Sequence, residues 1–331
     1  MRKRHAGYLL LVTLGVLALL FCLGTAVVGF STAHQSLVRK AEERARAAES
    51  ARAGVEVAIA RLRADPNWKE GFRDQAVMEA GFASLQFEPG DIPQSIHNGA
   101  GVEPVPGWDR RTVPTGTVHL VCEGRSGTSR ALVQALVGVE SILLDDQFDS
   151  GAPGWTSPNG SLPLVILGFY LLELGGGGSV LAGSEHWSDY EAEFVARLSQ
   201  GTGLGFLARA TGPPEAPDGY LAAYELTTDS FALHRMVAGL RGPALVVVPR
   251  ADTALAGSWL VTLDHTYRLR VEAETVSWWV DGVQVLTFKD EQAPRMMGRI
   301  GVHPGLGAVV LLDRVQVRAL FGVRSIWRGP T

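Results

Sequence analysis

Between Tyr8 and Phe30 the chain reads YLLLVTLGVLALLFCLGTAVVGF, 23 positions without a charge. That length lets one helix cross the hydrocarbon layer of a bilayer. No other stretch restricts the fold as strongly, because a segment in lipid must satisfy its backbone hydrogen bonds internally. Arg2, Lys3 and Arg4 precede the run, so the positive-inside bias leaves the N-terminus in the cytoplasm and everything after Phe30 outside. The helical pattern then continues past the membrane. Leu37, Ala41, Ala45, Ala48, Ala51, Val55, Ile59 and Leu62 recur at three-and-four spacing, one face of an amphipathic helix. If unbroken from Tyr8 to Ala64, this rod is about 85 Å long. Proline disfavours helix in the residue before it, so Asp65-Pro66 is predicted to end the rod.

A plain single-pass anchor accounts for this N-terminus. So does a secretory signal cut after Ser31-Thr32-Ala33, although such signals have shorter apolar cores. A third reading starts from the basic heptapeptide MRKRHAG, with Gly7 directly before the apolar run and an amphipathic extension after it. This arrangement, over roughly the first 65 residues, resembles the type IV prepilins and pseudopilins. The resemblance implies a leader over 1–7, cleavage between Gly7 and Tyr8 with methylation of the new N-terminus, a membrane helix over 8–30 and an amphipathic extension over 31–65. It also implies packing with other pilin-type subunits. Major pilins carry a glutamate five residues after the cut, where this chain has Val12. That departure fits a minor subunit better than a bulk fibre subunit.

Composition sets outer bounds. The chain has 331 residues, a formal net charge of −4 and a pI near 6.1, which give no general attraction to nucleic acid. Arginines in the stem alternate with Glu42, Glu43, Glu49 and Glu56, the pattern of a solvated helix face. Cys22 falls in the apolar run and Cys122 far outside it, so no disulfide joins them.

Residues 66–140 read as a small α+β module. Trp68, Phe72, Val77, Met78 and Phe82 suggest short helical pieces against the stem, followed by a loop-rich stretch with Pro89, Pro93, Pro104, Pro106 and Pro114. Val118, Leu120 and Cys122 alternate as a strand, Gly124 to Ser129 give a turn, and Ala131 to Val139 return as a second strand. A strand pair closing over the outer half of a long helix is similar to the head of a minor pilin of the PilX type.

From about residue 141 to 320 glycine and aromatics rise and short alternating segments recur: YEAEFVARL, GLGFLARA, YLAAYEL, FALHRMV, ALVVVP, TYRLRVEAE, TVSWWVDG, GRIGVHP and AVVLLDRVQVRAL. Many strands at such spacing predict an antiparallel sandwich or barrel. Tyr190, Ala192, Phe194 and Ala196, with Tyr267, Leu269 and Val271, would face its core. Asp281-Gly282 is a hairpin signal. The segments LLDDQFDSGAPGW, WSDYEAEFVARLSQGTGLGFLAR, TYRLRVEAETVSWWVDGVQVLTF and GRIGVHPGLGAVVLLDRVQV resemble, in order, the concanavalin A-like jelly roll of laminin-G-like modules and 3-keto-disaccharide hydrolase domains. The fold class expected for the whole chain is therefore α+β, mostly β, with residues 321–331 as a C-terminal tail.

Candidate sites follow from residue type. Glu191 and Glu193 share one strand face, where two carboxylates can serve glycoside chemistry; the E-x-D-x-x-E strand of laminarinase-type relatives is absent, and solvated face residues explain them. Asp145, Asp146 and Asp149 invite calcium through oxygen ligands, but aspartates beside Gly and Ser also form ordinary turns. Gly175 to Gly178, and Gly201, Gly203 and Gly205, have no following helix or lysine and read as turns, not phosphate cradles. The eight histidines show no zinc-ligand spacing. Among Trp187, Tyr220, Tyr224, Trp259, Trp278 and Trp279, the adjacent pair Trp278-Trp279 must point to opposite faces. One indole therefore leaves the core and becomes a sugar-stacking candidate, or packs under a loop. Trp279, Trp187, Tyr220 and Tyr224 are thus the expected ligand contacts, with Glu191 and Glu193 beside them.

The combined expectation is a single-pass, pilin-like membrane protein that displays a lectin-like sandwich outside the cell and binds a glycan or surface protein without catalysis. No cofactor is implied beyond calcium. The alternatives are a tethered glycan-processing enzyme and an inert tip or assembly part of a pilus or secretion machine.

Overall fold

The computed structural model describes residues 4–328 except 100, 102, 150, 159–163, 167–168, 174–177, 258 and 306. Arg2 and Lys3 of the leader, and Gly175 to Gly177 of the expected turn, lie outside the described residues. The first element is one unbroken helix, α1 (Arg4–Ala64), of 61 residues, about 90 Å long. It stops where the proline requires: the Asp65 amide still bonds the Arg61 carbonyl, and Pro66 follows.

The two halves of α1 meet different surroundings. Residues 13–42 are exposed on every side, including Leu14, Leu17, Phe21 and Phe30. From Ala47 onward one face is covered, with Ala51, Val55, Ala58 and Leu62 inaccessible. The apolar face expected from spacing is therefore buried only in its outer part: Ala51, Val55, Ile59 and Leu62 are core, whereas Leu37, Ala41 and Ala45 face outward. The covering sheet does not reach them.

That sheet comes from β1 (Phe72–Met78), β2 (Gly81–Leu85), β3 (Ile96–Asn98), β6 (Thr117–Ser126) and β7 (Ser129–Gly138); β4 (Val105–Pro106) and β5 (Thr112–Val113) form a small separate ladder. The order is β1-β2-β6-β7, with β3 beside β6. The helical pieces expected over Phe72–Phe82 are instead the β1–β2 hairpin. Its turn passes through Ala80 at φ 54°, and Ala83 and Leu85 face the stem while Phe82 is half exposed, a period of two that a short window conceals. Phe72 and Val77 do pack on the stem, from strands. The β6–β7 turn is also tighter than expected, with only Gly127 and Thr128 between the strands.

Small residues let helix and sheet approach. A Cβ at Gly124 would strike the Ala47 carbonyl and the Ala51 amide of α1, and one at Gly54 would strike the Cys122 sulfur and Ala83. Cys122 fills this seam, and burial pushes its thiol up to about 12, so it is a packing residue and not a nucleophile.

The remaining strands are β8 (Ile142–Asp146), β9 (Trp155–Thr156), β10 (Leu164–Ile166), β11 (Phe169–Glu173), β12 (Val180–Ala182), β13 (Tyr190–Gln200), β14 (Gly203–Thr211), β15 (Asp218–Glu225), β16 (Ser230–Val237), β17 (Leu240–Pro249), β18 (His265–Glu272), β19 (Thr275–Val280), β20 (Val283–Lys289), β21 (Arg299–Pro304) and β22 (Val309–Ala319). They form two antiparallel sheets. One has the order β10-β11-β22-β13-β18-β19-β20 with β8 beside β22; the other has the order β17-β16-β15-β14-β21-β12-β9. Tyr190, Ala192, Phe194, Ala196, Tyr267, Leu269 and Val271 are fully buried between them, as alternation predicts. Asp281 and Gly282 take φ 49° and 80°, the twist-matched hairpin turn their sequence signals. The chain is α+β, mostly β: one long apolar helix, then antiparallel sheets closing as a β-sandwich jelly roll.

The last strand, β23 (Gly322–Arg328), does not belong to the sandwich. It returns to pair with β7, so part of the segment expected as a tail completes the first sheet. The sandwich is thus inserted between two neighbouring strands, β7 and β23. Asp189 ties the units together, accepting from Arg209 of β14 at 2.7 Å and pairing with Arg324 of β23.

Candidate functional site

Three of the expected ligand aromatics are structural. Trp187, Tyr220 and Tyr224 are 4%, 1% and 3% exposed, too enclosed to stack on a sugar. Tyr220 and Tyr224 alternate inward with Ala222, and their hydroxyls donate to Asp290 at 2.7 Å and Asp229 at 2.8 Å. Trp187 packs its ring over Gly183 and edge-on to Tyr190. Burial, with Asp229 beside it, pushes the Tyr224 phenol up to about 12.

Trp279 does leave the core, while its neighbour Trp278 is fully buried. Cross-strand register places Glu193, Arg268 and Trp279 in one row and Glu191, Arg270 and Ser277 in the next. The two glutamates and the indole therefore share one outer face. The Arg268 guanidinium lies 4.8 Å from the Trp279 ring centre and its Nε 3.9 Å from Glu191, so the indole face is already occupied by a cation. Asp146 accepts from the Phe148 amide and the Trp155 indole, each at 2.9 Å. Asp145 accepts from Gln316 at 3.2 Å. Asp146 thus performs the turn-forming role. Among the described residues, no group of three or more His, Cys, Asp or Glu is gathered as for a metal ion.

A cleft that the sequence did not single out lies on the outer face of the β17-β16-β15-β14-β21-β12-β9 sheet. Its floor is small because register aligns His303, Gly205 and Ala223 across three strands, with Ala232 continuing the row on β16. The adjacent row reads Gly301, Leu207, Leu221 and His234. Polar groups stand around this floor. Arg241, on β17, reaches back to Glu225 and to His234 Nε2. Because the arginine donates to that nitrogen, His234 carries its proton on Nδ1 and donates it to the Gly242 carbonyl at 3.0 Å. His303 Nδ1 meets the Ser179 hydroxyl at 3.0 Å. Burial lowers the pKa of both histidines, and the Arg241 cation lowers that of His303 further. The cleft measures about 330 Å³, with Thr202 and Thr227 at its edge. It offers the His303 imidazole, the Thr202 and Thr227 hydroxyls and the Arg241–Glu225 pair over a floor that includes Gly203, Gly205, Ala223 and Leu221, a surface suited to a ligand rich in hydroxyls. Gly203 and Gly205, expected as turn residues, instead lie inside β14, and Gly301 lies inside β21; glycine within a strand marks close approach to the backbone.

No family model matches this chain, and no curated protein matches it. Solved structures do. A carbohydrate-binding module from Bacillus subtilis aligns at 16% identity and a TM-score of 0.41, covering 49% of this chain and 93% of that one. A Bacillus licheniformis beta-glucanase aligns at 17% identity and 0.37, covering 53% and 96%. A Caenorhabditis elegans galectin aligns at 10% identity and 0.31, covering 50% and 95%.

Proposed function

We propose that this is a pilin-like, single-pass membrane protein that holds its sandwich outside the cell to bind a glycan or another hydroxyl-rich surface ligand, without bond-breaking chemistry. The observation that carries this reading is the divided surroundings of α1. Its inner half is exposed on all sides over residues 13–42, and the apolar run that ends at Phe30 lies within that bare stretch, while its outer half is locked into a sheet that also carries the sandwich. A bare apolar helix of that length needs lipid or other helices around it. The Arg4–Ala64 helix, running without a break through Gly7 and Tyr8, and the antiparallel sheet over its outer end support the pilin-like assignment.

Binding is favoured over glycoside cleavage by the carboxylate count. Hydrolysis needs two carboxyl groups flanking the bond, and among the described residues lining the cleft only Glu225 is one. Arg241 already holds it.

Incubation of the membrane-inserted chain with prepilin peptidase, followed by N-terminal sequencing, tests the pilin part. A new terminus at Tyr8 supports it, and a chain still starting at Met1 overturns it. Glycan-array binding tests the ligand part. Signal lost in Arg241→Ala and kept in Trp279→Ala assigns the cleft; the reverse assigns the Trp279 face; no binding by the wild type leaves the sandwich as an inert tip and overturns the ligand part.

A further inference from the structure

We propose that His265 is a proton-operated latch: charged, it ties residues 259–263 to the end of the sandwich, and neutral, it lets them go. Its ring faces two acceptors at once. Nδ1 lies 2.6 Å from Asp281 Oδ2, and Nε2 lies 2.7 Å from the Leu260 carbonyl oxygen. Neither oxygen has a proton to give while Asp281 is ionised. A neutral imidazole carries one N–H and makes one of these bonds, turning a lone pair on the other oxygen. Only the imidazolium, with an N–H on each nitrogen, makes both.

The two partners come from different parts of the chain. Asp281 belongs to the β19–β20 turn, where its Oδ1 accepts from the Thr266 amide at 2.9 Å and its own amide donates to the Thr266 carbonyl at 2.8 Å. It is a fixed anchor at the head of β18. Leu260 lies in the connection from β17 to β18, and its carbonyl also accepts from the Leu263 amide at 2.9 Å. The Trp259 ring stands 5.1 Å from the imidazole and the Tyr267 ring 6.3 Å from it, edge-on. Among the described residues Asp281 has no ion-pair partner but His265. The neighbouring Asp264 is taken by Arg197 of β13 at 3.2 Å. Beyond Trp259, Tyr224 donates to Asp229, which Arg250 also holds.

When the proton leaves, the remaining N–H stays with Asp281, because a bond to a carboxylate is the stronger of the two. Nε2 then presents its lone pair to the Leu260 carbonyl, and that tie is gone. The bond from the Leu198 amide to the Val261 carbonyl, at 2.9 Å, still joins the stretch to β13. Leu260 and Leu263 are 60% and 56% exposed, so their own burial does little to hold them. Trp259, Leu260, Val261 and Thr262 form one wall of an open pocket of about 500 Å³ at this end of the sandwich. The latch therefore sets whether that wall is fixed. Histidine is the side chain that exchanges its proton between pH 5 and pH 8, so the wall is held on the acid side of that range and loosened on the alkaline side.

The test uses the full chain in detergent micelles, labelled with nitrogen-15 at histidine, with the His265 signals identified by their loss in His265→Gln. Two protonated ring nitrogens are expected at pH 5 and one, Nδ1, at pH 8.5. Thermolysin cleavage within residues 259–263 is read beside it, relative to an unstructured peptide at the same pH. Cleavage is expected to be about tenfold faster at pH 8.5 than at pH 5, and equally fast at both in His265→Gln. A single protonated nitrogen at pH 5 overturns the latch, and that measurement needs no variant to fold beyond the one used for assignment. Equal cleavage of the wild type at the two pH values overturns it too. A pH response kept in His265→Gln places the switch elsewhere and also overturns it.

Discussion

His97, His119, His234 and His303 each have a pKa lowered chiefly by burial. A histidine held neutral in the fold takes up its proton more readily when unfolded. Its stabilising contribution is therefore present above the unfolded value of about 6.5 and is lost as pH falls through the depressed folded value. Thermal unfolding is expected at progressively lower temperature from pH 7 to pH 5, with a shallower slope in His303→Gln than in the wild type. An equal slope in the two would remove His303 from this account. Asp189 makes a second residue-scale case. It is the carboxylate shared by Arg209, which is wholly buried, and Arg324, whose pKa burial lowers to about 10. Arg209 also donates to the Ser188, Ala273 and Arg295 carbonyls, so it keeps partners when Asp189 is lost, whereas Arg324 is left charged at the joint. Asp189→Asn is expected to destabilise the chain by about 3 kcal/mol in urea unfolding; a loss below about 1 kcal/mol would show the pair to be solvent-screened.

At the scale of elements, the seam between α1 and the β1-β2-β6-β7 sheet depends on glycine. Gly124→Val would drive a branched side chain into the Ala47 carbonyl and Ala51 amide, and neither backbone can move without unseating Val55, Ala58 and Leu62. A loss of about 2 kcal/mol is expected by chemical denaturation, with the Cys122 thiol becoming reactive to maleimide; a stable variant with an unreactive thiol would contradict the close approach. The same scale shows what the sequence made legible. Long periodic segments such as Tyr190–Gln200 and Thr275–Val280 announce strand and facing together, because burial on one face fixes alternation. Phe72–Phe82 misleads because Phe72, Val77, Met78 and Phe82 fit a helix or a bent hairpin equally well, and only the stem already occupying the helix slot decides. Tyr220 and Tyr224 mislead for another reason. Partners remote in sequence or across a turn, Asp290 and Asp229, make a buried phenol acceptable. The Arg241–Glu225–His234 cluster was not readable at all, since it assembles across three strands from residues that carry no local pattern. Trp279 was readable because adjacency alone forces one indole outward.

For the whole molecule, the sandwich leaves β7 and returns through β23, so its two connections enter the same sheet side by side. Trp327 on β23 lies between His119, stacked at 5.9 Å, and Arg111, whose guanidinium is 4.1 Å from the indole centre. This fixes the return strand to the sheet beside it. Trp327→Ala is expected to leave the sandwich folded while opening the first sheet to protease near Val133–Gly138; unchanged cleavage there would mean β23 holds by its backbone ladder alone.

The proposed function requires residues 8–30 to stay in the membrane with the sandwich outside. Cells producing the chain should be washed with alkaline carbonate, fractionated, and their spheroplasts treated with protease. The expected result is a chain that pellets with membranes and whose sandwich is removed from outside in intact spheroplasts. A soluble product in the medium, lacking the apolar helix and carrying a folded sandwich, would contradict it.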